Sequence, residues 1–301
     1  MSRMKRVVQA LFVATPLAVP CSPLVAQVPE TSSSVTVNCS ASGRSLQDAL
    51  NTAPPGASVA VTGRCAGGPY LINKDVKLSG YGEAILSTAS GSNHVLQLRG
   101  VKTDIAGLTV DATGANSGII VDGSRAYISN IVVENASGAG IVVGGSGFAS
   151  VHGSTVRNNG IGIFVVDSSS LGVGSSTIEQ NLNFGIFVYK VSSAFIVNSA
   201  IRNGNGVGVA IDHLSHATLD SSVVQANAGN GVRVGQLYAT LTLNAAVNTL
   251  QNNSPDVSCG DRGVIEVAAP QNSATKTTSI APSIMTSQLG CSVVGGPIFA
   301  P

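Results

Sequence analysis

Five side chains that could transfer protons or bind an anion recur in the middle of the chain at intervals of 23 residues. Tyr189 and Asp212 are 23 positions apart, as are Lys190 and His213, and Asp167 precedes Lys190 by the same interval. Only 10% of the 301 residues are charged and 4% are aromatic, so this concentration is unusual for the chain. Such groups can supply a base, an acid and a cation that neutralises negative charge. They can act together only if the fold repeats with the same period.

The sequence does repeat, with a period of 22 to 23 residues. In each repeat a glycine is followed by an aliphatic residue, with a second one two positions later, an alternation typical of a β-strand. Two further short apolar alternations follow, such as Ala126 with Ile128 and then Val133. Three short strands cannot bury a core alone, so we predict that the repeats stack into a parallel solenoid. The six glycine segments are 118–121, 140–143, 162–165, 185–188, 208–211 and 231–234.

This pattern resembles a known family. Gly-Ile-x-Val, followed in a later part of the repeat by Ile-x-Asn-Ser-x-Ile as in residues 196–201, resembles the right-handed parallel β-helix repeat of the pectate-lyase-like superfamily. The segments 45–50 and 74–80 are similar too, and the resemblance covers residues 40–258. It implies an all-β fold, a single right-handed parallel β-helix. The superfamily includes lyases, hydrolases, epimerases and noncatalytic surface proteins, so the activity has to be inferred from the site.

The two ends of the solenoid need covers, because exposed strand edges pair with other chains. Residues 45–53 are predicted to form a short capping helix, with Ser45 as N-cap and one apolar face. We therefore assign residues 27–258 to the β-helix with its N-terminal cap. Residues 259–301, rich in Ser, Thr and Pro, are assigned to a C-terminal cap or tail.

Residues 1–26 have the layout of a secretory signal peptide. Arg3, Lys5 and Arg6 precede an apolar stretch, and small residues lead to Ala26. The apolar stretch is too short and too interrupted by proline to cross a bilayer, so no transmembrane segment is predicted. After cleavage we expect a protein that is secreted, periplasmic or at the cell surface.

The cysteine count agrees with export. Cys21 lies in the signal peptide, which leaves Cys39, Cys65, Cys259 and Cys291. An even number in an oxidising compartment indicates two disulfides, and three pairings are possible. The order along the chain favours Cys39–Cys65 and Cys259–Cys291. A four-ligand zinc site is the alternative, but no Cys-x-x-Cys spacing supports it.

The charge balance limits the partners. Sixteen Lys and Arg against fifteen Asp and Glu give a net charge of +1, which excludes nucleic-acid binding through a basic surface. We expect a monomer. No cofactor is predicted; Asp122, Asp167 and Asp212 are available for Ca²⁺ but do not occupy adjacent positions. One outward column is predicted to be an exposed salt-bridge ladder, which contributes little to stability. Its members are Glu134, Arg157, Glu179 and Arg202.

The repeat places the reactive residues side by side. Asp167, Lys190 and His213 should stack on successive coils, with Tyr189 and Asp212 next to them, and Phe164, Phe187 and Arg233 on the adjoining outward strand positions. Such a cluster could carry out β-elimination or epimerisation of a uronic acid. Lys190 or Arg233 would neutralise the carboxylate, His213 would be the base and Tyr189 the acid. Asp167 or Asp212 would orient the cations, while Phe164 and Phe187 would stack on sugar rings.

The resulting hypothesis is a protein that binds, and in its catalytic form cleaves or epimerises, an acidic extracellular polysaccharide. If it is an enzyme, it is of the polysaccharide lyase or uronate epimerase type. The alternative is a noncatalytic structural or adhesion solenoid that makes protein contacts. The short coils favour this alternative, because lyases of the superfamily carry long turn insertions that wall a cleft.

Overall fold

The computed structural model describes residues 33–40, 45–81, 83–244, 248–260, 262–268, 284–285 and 292–294. These residues form a parallel β-solenoid in which a full turn contributes one strand to each of three sheets. We name them sheet 1, which contains the Gly-Ile-x-Val strands, then sheet 2 and sheet 3, in the order in which the chain passes through them. The predicted all-β parallel β-helix, with three short strands per coil, is confirmed. The predicted signal peptide, residues 1–26, lies outside the described residues.

The strands of each sheet are short and all parallel to their neighbours. Sheet 1 consists of Tyr70–Ile72, His94–Arg99, Ser117–Asp122, Ala139–Gly144, Ile161–Val165, Phe184–Val188, Val207–Ile211, Val232–Val234, Val257–Cys259 and Ile284–Met285. Sheet 2 consists of Ser34–Asn38, Ser58–Thr62, Val76–Gly80, Lys102–Ala106, Arg125–Ser129, Phe148–His152, Ser170–Gly174, Ser193–Val197, His216–Asp220, Thr240–Asn244, Val264–Ala268 and Ser292–Val294. Sheet 3 consists of Arg64–Gly68, Ile85–Thr88, Thr109–Asp111, Val132–Glu134, Thr155–Arg157, Thr177–Glu179, Ala200–Arg202, Val223–Gln225 and Thr249–Gln251.

The interior is filled by aliphatic side chains that face inward from all three sheets. In sheet 1, the residue after each repeat glycine is fully buried and stacks on the same position of the neighbouring turns. Burying one such side chain contributes about 1.5–3 kcal/mol, so this column is a main source of stability. It comprises Ile119, Ile141, Ile163, Ile186, Val209 and Val232.

The close approach of successive turns explains why each repeat has a glycine. A Cβ atom built on Gly185 would lie 2.6 Å from the carbonyl oxygen of Gly208. One built on Gly208 would lie 2.5 Å from the carbonyl oxygen of Gly231. Interiors are close-packed, so a larger residue at these positions would push the turns apart.

Buried polar columns keep the turns in register. The backbone amide of Ser154 donates to the hydroxyl of Ser176 over 3.2 Å, and the amide of Ser176 donates to Ser199 in the same way. The side-chain amide of Asn159 donates to Oδ1 of Asn181 over 3.2 Å. These groups are satisfied inside the protein, as buried polar groups must be. Serine hydroxyls and asparagine amides therefore form stacked columns along the solenoid.

A helix and a disulfide close the first turns. The helix Leu46–Thr52 begins at Ser45, whose hydroxyl accepts a hydrogen bond from the amide of Asp48 over 3.1 Å. Its buried residues face the first coil, which confirms the predicted cap; they are Leu46, Ala49 and Leu50. No helix among the described residues is long and apolar enough to cross a bilayer.

Cys39 and Cys65 form a disulfide with their Cα atoms 4.9 Å apart, as predicted. Cys259 is also disulfide-bonded, while its predicted partner Cys291 lies outside the described residues. Sheet 2 extends beyond residue 258, the last residue assigned to the solenoid from sequence. Its two final strands are Val264–Ala268 and Ser292–Val294.

Candidate functional site

The site residues predicted from sequence lie on the outer face of sheet 1 and in the turn from sheet 1 to sheet 2. Tyr189 follows Val188 and Asp212 follows Ile211, and Val188 and Ile211 are register partners on adjacent turns. The predicted register is therefore present. We call these residues the sheet 1 site: Phe164, Asp167, Phe187, Tyr189, Lys190, Asp212, His213 and Arg233.

Four rings of the site form a continuous ladder over three successive turns. Phe164 stacks on Phe187 with ring centroids 5.4 Å apart, and Phe187 contacts Tyr189 at 5.4 Å. The Tyr189 ring meets the imidazole of His213 edge-on at 4.5 Å. Aromatic pairs in these geometries contribute about 0.5–1.5 kcal/mol each beyond their burial. The sequence places these side chains in neighbouring columns, and the structure shows that their rings are in contact.

Phe184 is a fifth ring that the sequence analysis missed. It stacks on Phe187 with centroids 4.8 Å apart. Phe184 precedes the repeat glycine and is in register with Ile161 and Val207. A search of this column would have found it, but the column shares no common residue type.

Arg233 extends the ladder by a cation. Its guanidinium carbon lies 5.3 Å from the ring centroid of Phe184, two turns away, which is a cation–π distance. Ala210 lies between Phe187 and Arg233 in the register, and its small side chain is fully buried. The Nε atom of Arg233 is buried without a hydrogen-bond partner among the described residues. A buried donor without a partner is costly, and because this atom has no accessible surface, a ligand could reach only the rest of the guanidinium.

Lys190 adds a second cation at the edge of the ladder. Its Nζ lies 3.5 Å from Oδ1 of Asp167 and 5.6 Å from the ring centroid of Tyr189. The side chains of Lys190 and Asp167 are 55% and 57% exposed, so their ion pair contributes little stability. Both remain available to a ligand.

The backbone that carries these charges is left-handed. Asp167, Lys190 and His213 have φ values of 56°, 53° and 54°. Gly123 and Gly145 occupy the same position on two earlier turns. Non-glycine residues with positive φ occur in many other turns as well, for example Asn130, Val191 and Leu214, so this conformation is a feature of the repeat rather than of the site. In this column, the turns with the aromatic ladder carry Asp167, Lys190 and His213 where the two earlier turns carry glycine.

A second serine column fixes these turns. The amide of Ser169 donates to the hydroxyl of Ser192 over 3.3 Å, and the amide of Ser192 donates to that of Ser215 over 3.2 Å. All three serines are buried. The serines lie two residues after Asp167, Lys190 and His213, so the column sets the spacing of these side chains. Only four residues separate the strands here, so side chains rather than loops form the site.

Asp212 organises the last turn of the site. Its Oδ1 accepts hydrogen bonds from the backbone amides of His213 and Gln236 over 2.9 and 3.0 Å. Nδ1 of His213 is buried and lies 3.0 Å from the same oxygen, without the alignment of a hydrogen bond. Gly235 makes room for this carboxylate, because a Cβ there would lie 2.6 Å from Asp212 Cγ. Asp212 therefore positions His213 rather than a cation.

In the described part of the chain, no group of three or more His, Cys, Asp or Glu side chains is arranged to hold a metal ion. Asp122, Asp167 and Asp212, the carboxylates considered for calcium, engage different neighbours. Asp122 lies 3.9 Å from Arg99, and Asp167 pairs with Lys190.

The comparisons with known proteins define the family. A family described as "Right handed beta helix region" matches residues 91–256, more than half of the chain. The chain therefore belongs to the right-handed β-helix family, and its fold is that of the pectate-lyase-like proteins. The comparison with curated protein sequences gives no match.

Solved structures share the fold at low identity. An alginate lyase from Paenibacillus sp. str. FPU-7 superposes with a TM-score of 0.62 and 14% identity, covering 87% of this chain and 98% of that one. The A-module of the Azotobacter vinelandii mannuronan C-5 epimerase AlgE4 gives 0.56 and 18%, covering 70% and 67%. Pectate lyase Pel9A gives 0.55 and 14%, covering 79% and 76%. At these identities the likeness shows the fold alone.

Proposed function

We propose that the sheet 1 site binds an acidic polysaccharide. Its aromatic rings would pack on the faces of sugar units, and its two cations would pair with carboxylates. Carbohydrate rings have apolar faces and polar rims, which suits a surface made of rings and charged groups. The main observation is the ring ladder from Phe164 to His213, flanked by Arg233 and Lys190.

Each cation has a distinct part in this proposal. Arg233 is held over Phe184 and is half-buried, so a sugar carboxylate would pair with the accessible part of its guanidinium. Lys190 is exposed and only weakly paired, so it can turn from Asp167 to a ligand. Asp167 would then accept a hydrogen bond from a sugar hydroxyl.

Support also comes from the structural relatives. One is named as an alginate lyase, one as a mannuronan C-5 epimerase and one as a pectate lyase. The solenoid shared with them presents stacked side chains at intervals of about 4.8 Å. An extended polymer lying along the solenoid axis could therefore contact equivalent positions on successive turns.

A second candidate is proton abstraction from a uronic acid unit, favoured by the contact between Tyr189 and His213. Lys190 or Arg233 would neutralise the carboxylate and acidify the C5 hydrogen. His213 would take the C5 proton, the electron pair would form the C4–C5 double bond, and the C4–O bond would break. Tyr189 would protonate the leaving oxygen. In an epimerase the proton would instead be delivered to C5 from the opposite face.

The His213 ring is 41% exposed although its Nδ1 is buried, so a substrate would approach its remaining atoms. The noncatalytic alternative, a structural or adhesion module, is favoured by the short turns around the site. In either case we propose that residues 1–26 are removed as a signal peptide and that the mature monomer acts outside the cytoplasm.

The test is to incubate the mature protein with alginate and with pectin and to follow the ultraviolet absorbance of unsaturated uronate. We expect saturable binding to at least one of them. If the chain is a lyase, absorbance rises and His213→Ala abolishes the rise while leaving binding largely intact. Binding without product would favour the binding protein, and no binding to any acidic polysaccharide would overturn the proposal.

A further inference from the structure

We infer that the outer face of sheet 2 carries a second binding surface for an acidic sugar chain, separate from the sheet 1 site. Three basic residues define it: Lys77, Lys102 and Arg125. They lie on three consecutive strands, Val76–Gly80, Lys102–Ala106 and Arg125–Ser129. None of the other nine strands of sheet 2 contains Lys or Arg. We call this surface the sheet 2 patch.

The placement of the basic side chains is unfavourable for the free protein. Lys102 and Arg125 are direct register partners on neighbouring strands, and like charges in that position repel. Among the described residues, none of the three cations has an ion pair within 4.0 Å. All three side chains are exposed. An anionic ligand would relieve the repulsion.

Two rings lie among these cations. Nζ of Lys102 lies 5.9 Å from the ring centroid of Tyr127, and the guanidinium carbon of Arg125 lies 5.2 Å from that of Phe148. The two rings meet edge-on at 6.0 Å. Tyr127 is 37% exposed, so part of its ring is free to pack on a ligand. The combination of rings and cations is the same as in the sheet 1 site.

The patch is concave at one end. A depression of about 420 Å³ is lined by residues that include Asp75, Lys77, Lys102, Asp104 and Tyr127. Asp75 already accepts a hydrogen bond from the backbone amide of Lys102 over 2.8 Å. Asp104 lies between Lys77 and Tyr127 in the register.

The two carboxylates decide which ligand class fits. Asp75 and Asp104 would repel any anion but can accept hydrogen bonds, so they favour a ligand that carries donors beside its negative charges. A sugar acid carries one charge per unit, and its hydroxyls can donate to these carboxylates. We therefore assign the patch to acidic sugar units. The choice of ligand rests on the proposed function, whereas the location of the patch does not.

The test uses the mature protein and a tetrasaccharide of mannuronate or galacturonate, with an uncharged tetrasaccharide for comparison. The patch variant is Lys102→Gln with Arg125→Gln. The matched control, Arg157→Gln with Arg202→Gln, removes the same charge from the salt-bridge ladder on sheet 3. We call this column of Glu134, Arg157, Glu179 and Arg202 the sheet 3 ladder. A third protein, Lys190→Gln with Arg233→Gln, inactivates the sheet 1 site. Titration calorimetry gives the number of saturable sites, and thermal unfolding reports on the fold.

We expect two sites in the parent and the control, and one in each of the other two proteins. The patch variant should unfold at the same temperature as the parent or higher, because a like-charge contact is removed. Should its folding fail, Tyr127→Ser serves as the second variant. Two unchanged sites in the patch variant would overturn the inference, as would preferential binding of phosphatidylserine vesicles. If the sheet 1 variant keeps all binding and the patch variant loses it, the inference stands and the proposed function fails.

Discussion

The sheet 3 ladder and the sheet 1 site contain similar charged residues on successive turns but present them differently. In the ladder, Arg157 lies 2.8 Å from Glu134 and Arg202 lies 3.1 Å from Glu179. In the sheet 1 site, Arg233 has a ring beneath it and an Nε without a partner among the described residues. The predicted salt-bridge ladder is therefore confirmed, while in the sheet 1 site Arg233 has no ion pair among the described residues and Lys190 has only an exposed one with Asp167.

The difference shows what a solenoid leaves to the side chains. Both columns have the same spacing along the solenoid, because every turn repeats the previous one at about 4.8 Å. Where carboxylates lie next to guanidinium groups, the positive charges are already paired within the protein. Where aromatic rings lie next to a guanidinium group, its positive charge can still pair with an anionic ligand. In this fold, whether a charged residue can bind a ligand thus depends on which side chains lie next to it on the adjacent turns.

The largest expected effect is on the stability of the solenoid that carries both the sheet 3 ladder and the sheet 1 site. Ile163→Asp places an unpaired charge inside the buried column of sheet 1, and we expect a loss of about 3–5 kcal/mol in the free energy of unfolding. Denaturant titration measures it, and Ile120→Asp on the outer face of the same sheet is the control. A similar small effect of both changes would contradict the solenoid.

The next effect separates the site from other exposed rings. Phe187 contacts three rings, so Phe187→Ala should weaken binding of an acidic polysaccharide at least tenfold and lower stability by about 1–3 kcal/mol. Phe195 is 49% exposed on sheet 2 and is the matched control. Equal losses of binding from Phe187→Ala and Phe195→Ala would show that the ladder is not the binding surface.

A smaller effect is expected from Lys190→Gly, which should raise stability but weaken polysaccharide binding. Lys190 adopts a left-handed conformation, so Lys190→Gly relieves strain and should raise the free energy of unfolding by up to about 1 kcal/mol. The same change should weaken binding, and the loss should be smaller in high salt, where the parent's electrostatic attraction is already screened. Lys190→Ala is the companion that loses the charge without the relief. A glycine variant that binds like the parent would remove Lys190 from the site.

The smallest effect concerns sheet 3 and pH. Burial acts to raise the pKa of Asp111, but hydrogen bonds from Thr113, Asn135 and Arg64 together outweigh it and hold the pKa below its usual 3.8. The stabilisation is therefore present above pH 3.8 and is lost as the pH falls through the lowered pKa. Asp111→Asn should destabilise the protein at neutral pH, with the difference from the parent shrinking in acid. A pH-independent difference would contradict the role assigned to Asp111.

Much of the fold was predictable because the repeat glycine sets the register of every other column. The positions of Tyr189, Lys190, Asp212 and His213 followed from that register alone. The hydrogen bonds of Asp212 to backbone amides did not, because they depend on the left-handed turn rather than on residue type.

Two other features escaped for different reasons. Phe184 lies in a column with no common residue type, so no pattern marked it. Lys102 and Arg125 of the sheet 2 patch are one repeat apart and could have been paired from sequence, but Lys77 could not, because the first turns are irregular in length. Lys77 is 25 residues before Lys102 and is in register with Asp104 instead.

The most direct test compares one arginine from each region. Binding of an acidic polysaccharide by Arg233→Ala and by Arg202→Ala should be measured by titration calorimetry, with thermal unfolding as a check on the fold. We expect Arg233→Ala to weaken binding about tenfold or more, because a charged hydrogen bond contributes about 1.5–3 kcal/mol. Arg202→Ala should bind like the parent, since its guanidinium is already paired with Glu179. A greater loss of binding from Arg202→Ala than from Arg233→Ala would place the binding surface on sheet 3 and contradict the proposal.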